Sequence, residues 1–360
     1  MPDMYFKQML HEDCGCSSYI VGGRSTNEVA VIDPALDTSE VLEVVRLRGF
    51  TVRYVIDTHI HADHVSGARR LAEQTGAPVC MHESADVLFP FTPLRDGDRL
   101  QLGNVSLTVL HTPGHRPESI TLLVTNHARS ESPSMAITGD TLLVGDVGRP
   151  DFGGEHGAHQ LWQSVQRLLA LEDYVEVFPS HFEGPCGKGM CGRPSSTIGF
   201  ERRFNPVLQV SGVDEFVRLI TTDVPARPLN MEAIVATNRG ERDAAWAMPQ
   251  GQSPVPEIGP VEAAARLQRG EAVVIDVREP AEYEAGHVPG ARHIPQCQLA
   301  DRLAEVPRDR EVVVVCRSGV RSLRCAQFLK QVGYERVLNL KGGTLAWMEA
   351  GLPVERPIPA

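Results

Sequence analysis

THIHADH, residues 58–64, follows the apolar run RYVID (residues 53–57) and precedes the helical pattern VSGARRLAEQTG (residues 65–76). The segment therefore sits at a strand end. In extended chain the side chains of His59, His61 and Asp63 share one face because the period is two, and His64 turns in as the helix begins. Three imidazoles and a carboxylate crowded together must be desolvated against one another, and a divalent cation is the simplest compensation. Isolated histidines such as His82, His127 and His293 lack such company and read as structural.

Three further ligand candidates end other apolar runs: His115 in TPGH, Asp140 in TGD and His181 in PSH. Pro113 and Gly114 let the backbone bend to present His115, and Gly139 does the same for Asp140. Loops at strand ends are where sites are usually built. From Glu28 to about Phe200, runs such as EVAVIDP, SLTVLHTPG, MAITGD and VEVFPSH alternate with turns and amphipathic helices, a mixed α/β pattern.

The chain has 360 residues, which suggests two domains at roughly one per ~150 residues. Residues 245–260, AWAMPQGQSPVPEIGP, are rich in Pro, Gly and Ser and read as an extended linker. The division expected is 1–245, a linker over 246–256, and 257–360. The later part alternates strand and helix (VEAAARLQRG, AVVIDVR, EVVVVC, SLRCAQFLKQVG), which implies a small parallel sheet.

A formal net charge of −11 argues against a nucleic-acid partner. The opening MPDMYFKQMLHEDCGCSS lacks a charged start followed by an apolar run, and no segment approaches the ~20 apolar residues needed to span a bilayer, so no membrane partner and a cytoplasmic location are expected. The 8 cysteines are too sparse for a disulfide framework. Cys14 with Cys16 and Cys186 with Cys191 do not have the spacing of standard zinc pairs and read as thiols in glycine-rich loops.

Cys316 ends EVVVV and opens CRSGVR, residues 316–321, ahead of a helix. Loop N–H groups, the positive end of the helix dipole, Arg317 and Arg321 all favour its thiolate, making a nucleophile. Cys325 inside the helix, and Cys80 in a strand, read instead as small buried apolar residues.

Taken in order, THIHADH, TPGH, TGD and PSH resemble the metallo-β-lactamase superfamily, whose fold is an αββα sandwich. Two of its branches matter here. The glyoxalase II type holds two metal ions with all seven ligands and hydrolyses glutathione thioesters. The persulfide dioxygenase branch keeps one Fe(II) per chain, on residues that map to His59, His115 and Asp140. A two-His-one-carboxylate set occupies one face of an octahedron and leaves positions for substrate and O₂. In that reading His61, Asp63, His64 and His181 orient the ligands and bound waters; in the other they supply the second metal.

The stretch TGDTLLVGDVGRPDF (residues 138–152) is similar to the dioxygenase branch, and on that resemblance Arg149 would contact a glutathione carboxylate; a salt bridge to Asp146 or Asp151 is the structural alternative. Phe182 and Glu183 depart from the tyrosine that shorter dioxygenases carry near here. The glycine-rich run after His181 resembles an insertion of bacterial dioxygenases fused to rhodaneses, where Lys188 and Arg193 would recruit an anionic tripeptide.

CRSGVR, flanked by DVREPAEYEAGHVPGARHIP and KGGTLAW, resembles the rhodanese family, whose cysteine carries a persulfide. The resemblance makes Cys316 the sulfur carrier, cradled by Arg317, Ser318, Gly319, Val320 and Arg321, with the two arginines stabilising an anionic donor. A phosphatase loop would place its arginine one residue later. Asp276 and Arg278 read as a structural ion pair.

The fusion implies shared substrates: glutathione persulfide, glutathione, thiosulfate or sulfite, and O₂. A thioesterase has no evident use for a persulfide-carrying neighbour. The resemblance also implies a homodimer. A persulfide sensor or carrier with a degenerate metal domain is the non-enzymatic alternative, and the intact ligand set argues against it.

Overall fold

The computed structural model describes residues 4–11, 14–150, 152–183, 187, 189–222, 231–242, 255–299 and 302–356. Chain contacts divide it into two units, Met1–Arg227 with Ile234–Arg242, and Pro228–Ala233 with Asp243–Ala360. Of the linker expected over 246–256, residues 246–254 lie outside the described set.

The first unit opens with β1 (Met4–His11), β2 (Cys16–Gly23), β3 (Glu28–Ile32), α1 (Ser39–Arg48), β4 (Thr51–Ile56), α2 (Ala68–Thr75), β5 (Val79–His82) and β6 (Thr92–Leu94). These strands form one sheet in that order, antiparallel from β1 to β3 and parallel from β3 to β6. A second sheet, ordered β14-β13-β10-β9-β8-β7, is built from β7 (Arg99–Leu102), β8 (Val105–His111), β9 (Ile120–Asn126), β10 (Met135–Gly139), β13 (Glu176–Pro179) and β14 (Ser196–Thr197). Between β10 and β13 lie the short hairpin β11 (Leu142–Leu143) with β12 (Asp146–Val147) and the helix α3 (Gly154–Leu169); α4 (Ile198–Phe204), α5 (Val213–Thr221) and α6 (Met231–Asn238) follow.

Period-two alternation sorts the strands' side chains into layers. Tyr19, Val21, Ala30, Ile32 and Ile56 of the first sheet meet Leu107, Val109, Ile120, Leu122 and Ile137 of the second in one buried cluster. The alternate residues Ile20, Val29, Val31 and Val55 face outward onto Val41 of α1 and Leu71 of α2. On the other side Leu110, Leu123, Ala136 and Val177 meet Leu161 and Val165 of α3 and Phe216 of α5. The result is an αββα sandwich. Its two sheets are joined beside THIHADH, where Ile120 N donates to Thr58 O at 2.9 Å.

The second unit holds β15 (Glu257–Ile258), α7 (Pro260–Gln268), β16 (Ala272–Asp276), α8 (Pro280–Glu284), β17 (Arg292–His293), β18 (Glu311–Val315), α9 (Val320–Gln331), β19 (Val337–Leu340) and α10 (Gly343–Glu349). Its five strands, ordered β15-β19-β18-β16-β17, are parallel throughout. Val312 and Val314 pack toward Cys325, Ala326 and Leu329 of α9, and Val313 and Val315 toward Ala263 of α7 and Trp347 of α10. Near-continuous valine in β18 is what a strand covered on both faces requires. No helix among the described residues is long and apolar enough to cross a membrane.

Candidate functional site

Every ligand candidate of the first unit leaves the end of a strand. His59 follows β4, His115 follows β8, Asp140 follows β10 and His181 follows β13. Gly114 has φ 140°, and a Cβ there would lie 2.4 Å from the Leu161 backbone, so the TPGH turn can press on α3 only with glycine in place. Gly139, φ 55°, reverses the chain after β10, and its carbonyl accepts from Ser180 N at 2.9 Å, tying the Asp140 and His181 loops together.

His59, His115 and Asp140 converge. His59 Nε2 lies 3.7 Å and His115 Nε2 3.6 Å from Asp140 Oδ2. His59 Nε2 and Asp140 Oδ2 are buried without a hydrogen-bond partner. Leaving such groups unpaired costs about 1–3 kcal/mol each, which a shared cation removes. The other faces of these ligands are held. Thr58 Oγ1 lies 3.0 Å from His59 Nδ1, the Arg149 carbonyl lies 2.8 Å from His115 Nδ1, and His181 Nδ1 lies 2.7 Å from Asp140 Oδ1. Burial, with His61 next, holds the His59 imidazole well below its usual value, hence neutral as a ligand must be. Burial alone would raise the Asp140 carboxyl, but His181, His59 and His115 outweigh it and keep it anionic. The donor set fits a divalent ion of the two-His-one-carboxylate kind.

Asp63, His64 and His181 form a second group with a member that sequence reasoning missed, Cys16 at the start of β2. Asp63 Oδ2 lies 2.7 Å from His181 Nε2 and 3.0 Å from His64 Nδ1, and Cys16 Sγ is within 3.3–3.4 Å of all three side chains. Against the lowering effect of burial, Asp63 raises the His64 imidazole to about 9. These groups are thus satisfied by one another. His61 points elsewhere, with Nε2 3.3 Å from Asp33 Oδ1.

Asp33 also accepts from Thr58 N at 2.7 Å, Thr58 Oγ1 at 2.8 Å and Ser180 Oγ, and so braces both ligand loops. Burial opposes its charge, but His61 and His59 bring its carboxyl down to about 2. Asn238, at the end of α6, donates to the His61 and His64 carbonyls at 2.9 Å each and accepts from Ser66 N. Glu118 accepts from Ile60 N at 2.9 Å and from Arg116 Nε at 3.1 Å, while the Arg116 guanidinium lies over the Phe152 ring, which packs edge-on to His115.

Arg149 is buried and Arg193 exposed; Lys188, Cys186 and Asp151 lie outside the described residues. Phe182 N donates to Gly15 O at 2.9 Å, and Cys16 bridges His181, which explains how a residue near the N-terminus reaches the site. Among the described residues no disulfide forms. Burial pushes the Cys80 thiol up to about 12, as suits an inert core residue. His82, His127 and His293 belong to no metal-ligand cluster among the described residues. They lie against Ser84, Ser106 with Glu131, and the Arg278 carbonyl respectively.

In the second unit the buried Cys316 Sγ accepts from Gly319 N at 3.1 Å and Ser322 Oγ at 3.3 Å. Gly319, φ 95°, turns the loop into α9. The segment KGGTLAW closes it from behind: Thr344 N donates to Cys316 O at 2.8 Å and Leu345 N to Arg317 O at 3.1 Å, and a Cβ on Gly343 would lie 2.3 Å from Cys316 O. Arg317 and Val320 are exposed and Ser318 half-buried. The Arg321 guanidinium makes a two-pronged pair with Glu282, at 2.7 and 2.8 Å. Asp276 and Arg278 pair at 2.7 Å, and Arg278 also donates to the Gly286 carbonyl at 2.9 Å.

A sandwich with metal donors at its strand ends, followed by a parallel-sheet unit with a cysteine loop, defines the class. Comparison with known proteins agrees: residues 11–181 match the metallo-beta-lactamase superfamily and residues 259–350 the rhodanese-like domain. The chain is 30% identical to the mitochondrial persulfide dioxygenase ETHE1 of Bos taurus over 238 residues, covering 64% of this chain and 86% of that one. The crystal structure of ETHE1 from Myxococcus xanthus superposes with a TM-score of 0.58 at 30% identity, over 66% of this chain and all (100%) of that one. A metallo-beta-lactamase from Staphylococcus aureus matches over 94% of this chain and 99% of its own, with a TM-score of 0.69 and 28% identity. The beta-lactamase hydrolase-like protein of Agrobacterium fabrum is 31% identical over 62% of this chain, an alignment that spans only 58% of that relative. The chain belongs to the metallo-β-lactamase superfamily, in its persulfide dioxygenase branch, with a rhodanese domain fused on the C-terminal side.

Proposed function

We propose that the first unit oxidises glutathione persulfide with O₂ at a single ferrous ion, and that the second transfers sulfane sulfur between thiosulfate and glutathione through a Cys316 persulfide. The observation that carries the first half is the division among the donors. His59 Nε2 and Asp140 Oδ2 are buried without partners, whereas Asp63, His64, His181 and Cys16 are hydrogen-bonded to one another. His61, whose ring nitrogens also lack a hydrogen-bond partner, sits apart in a group with Asp33 and Asp57, so the unpaired donors of the two-His-one-carboxylate group would be met by one ion.

His59, His115 and Asp140 would hold the ion; bound there, ferrous iron supplies redox chemistry with O₂ and an attachment point for sulfur. The protein's own groups do the rest. Asp33 and Thr58 fix the His59 ring, the Arg149 carbonyl selects the His115 tautomer that leaves Nε2 as the donor, and His181 holds Asp140 by its far oxygen. The overall balance is one glutathione persulfide, one O₂ and one water to glutathione, sulfite and two protons. Arg149, Arg193 and Lys188 are the proposed contacts for the peptide's carboxylates.

In the second unit the Cys316 thiolate attacks the outer sulfur of thiosulfate, the S–S bond breaks, and its electron pair leaves with sulfite. Glutathione thiolate then takes the outer sulfur, restoring the Cys316 thiolate and yielding the substrate of the first unit. The proposed setting is cytoplasmic, and the proposed assembly a homodimer.

Metal analysis of anaerobically purified protein, together with O₂ consumption on glutathione persulfide, tests this. One iron per chain with persulfide-dependent uptake is expected. Two metals per chain with hydrolysis of glutathione thioesters would replace the reading by a glyoxalase II-type hydrolase.

A further inference from the structure

We infer that Ser322 is the hydrogen-bond donor that receives negative charge on the Cys316 sulfur each time the carried sulfur is handed on, an inference that rests on the sulfur-transfer reading above. Ser322 lies in the first turn of α9 and is 0% exposed. Its hydroxyl has one proton and two acceptors, Cys316 Sγ at 3.3 Å and Asn339 Oδ1 at 2.7 Å. Asn339 is itself 1% exposed, and its amide is oriented by Nδ2 donating to Glu257 Oε1 at 3.4 Å, so that its oxygen faces the serine.

A serine near a helix start ordinarily bonds nearby backbone. Here it is turned inward, between a reactive sulfur and a fixed amide oxygen. While Cys316 is a thiol, its S–H can donate to Ser322 Oγ and the serine proton goes to Asn339. Once the sulfur is anionic, the serine proton turns to it and joins Gly319 N–H as a second donor. Hydrogen bonds to charged groups are stronger than those to neutral ones, which gives the rotation its direction.

The two halves of the transfer cycle use this contact unequally. In loading, Sγ gives up its charge to form the Sγ–S bond. In discharge, the acceptor thiolate attacks the outer sulfur, the Sγ–S bond breaks, and the electron pair stays on Sγ, where Ser322 meets it. Loss of the hydroxyl therefore slows discharge more than loading, and the persulfide accumulates.

The test uses the full chain. Thiolate formation at Cys316 is followed by ultraviolet absorbance as a difference against Cys316→Ser, and discharge of a thiosulfate-loaded enzyme to glutathione by rapid mixing. In Ser322→Ala the thiolate titration should move upward by about one pH unit and discharge should slow about tenfold. The isosteric pair Ser322→Thr and Ser322→Val separates the hydroxyl from packing: threonine should restore both readings and valine should not. A folded Ser322→Ala with unchanged titration and discharge, or valine behaving like threonine, would overturn the assignment. Wild-type protein that takes no sulfur from thiosulfate would defeat the transfer reading instead, and the titration would still judge Ser322.

Discussion

At the ends of β4 and β10 a buried ring nitrogen and a buried carboxylate oxygen face one another with no hydrogen-bond partner, whereas at the end of β18 the buried sulfur of Cys316 has two donors of its own. The first site has the donors to hold an ion and, on the proposed reading, is completed by one. The second is assembled from backbone, one serine and the glycines of KGGTLAW, and needs nothing added. On the proposed reading, reactivity is therefore conditional on an ion in one unit and not in the other, and the two should fail separately.

The most severe test of that contrast is Cys316→Ser. Sulfur transfer from thiosulfate should fall at least ~1000-fold, as removal of a nucleophile does, with O₂ uptake on glutathione persulfide unchanged. Loss of both activities in a folded variant would break the separation. Asp140→Ala should do the converse, losing bound metal and at least ~100-fold in O₂ uptake while thiosulfate transfer persists.

Chelation sharpens the contrast at the level of stability. A ligand present at ~1000 times its dissociation constant stabilises the fold that binds it by about 4 kcal/mol. Stripping the metal should therefore lower the first unit's melting transition by several degrees and leave the second unit's in place. The smallest effect belongs to Asn238→Ala, which removes the donor to the His61 and His64 carbonyls. Metal affinity should drop about tenfold in a dialysis titration, as for other outer-sphere partners, with sulfur transfer untouched.

Much of this was readable in advance, and the reason is locality. THIHADH, TPGH, TGD and PSH each join a strand to a turn, so period and turn chemistry placed His59, His115, Asp140 and His181 at strand ends; CRSGVR did the same for Cys316. What escaped notice depends on contacts between distant segments. Cys16 reaches His181 only because β2 bridges the loop after β13, and Asn238 reaches the His61 loop across more than 170 positions. Neither has a local pattern. Asp33 did carry a signal, since EVAVIDP ends an apolar run on a carboxylate just as MAITGD does. The ion pair of Arg321 had no local pattern either, since its partner Glu282 lies in the earlier helix α8.

The origin of the metal donors has one more consequence. His59 comes from the first sheet, while His115 and Asp140 come from the second, and only the packed sandwich brings them within reach. An unfolded chain has no such constellation, so loading must follow collapse of the two sheets rather than guide it. On the proposed reading, nascent protein short of iron would then accumulate as a closed scaffold awaiting its ion, with sulfur transfer already running and oxidation still to begin.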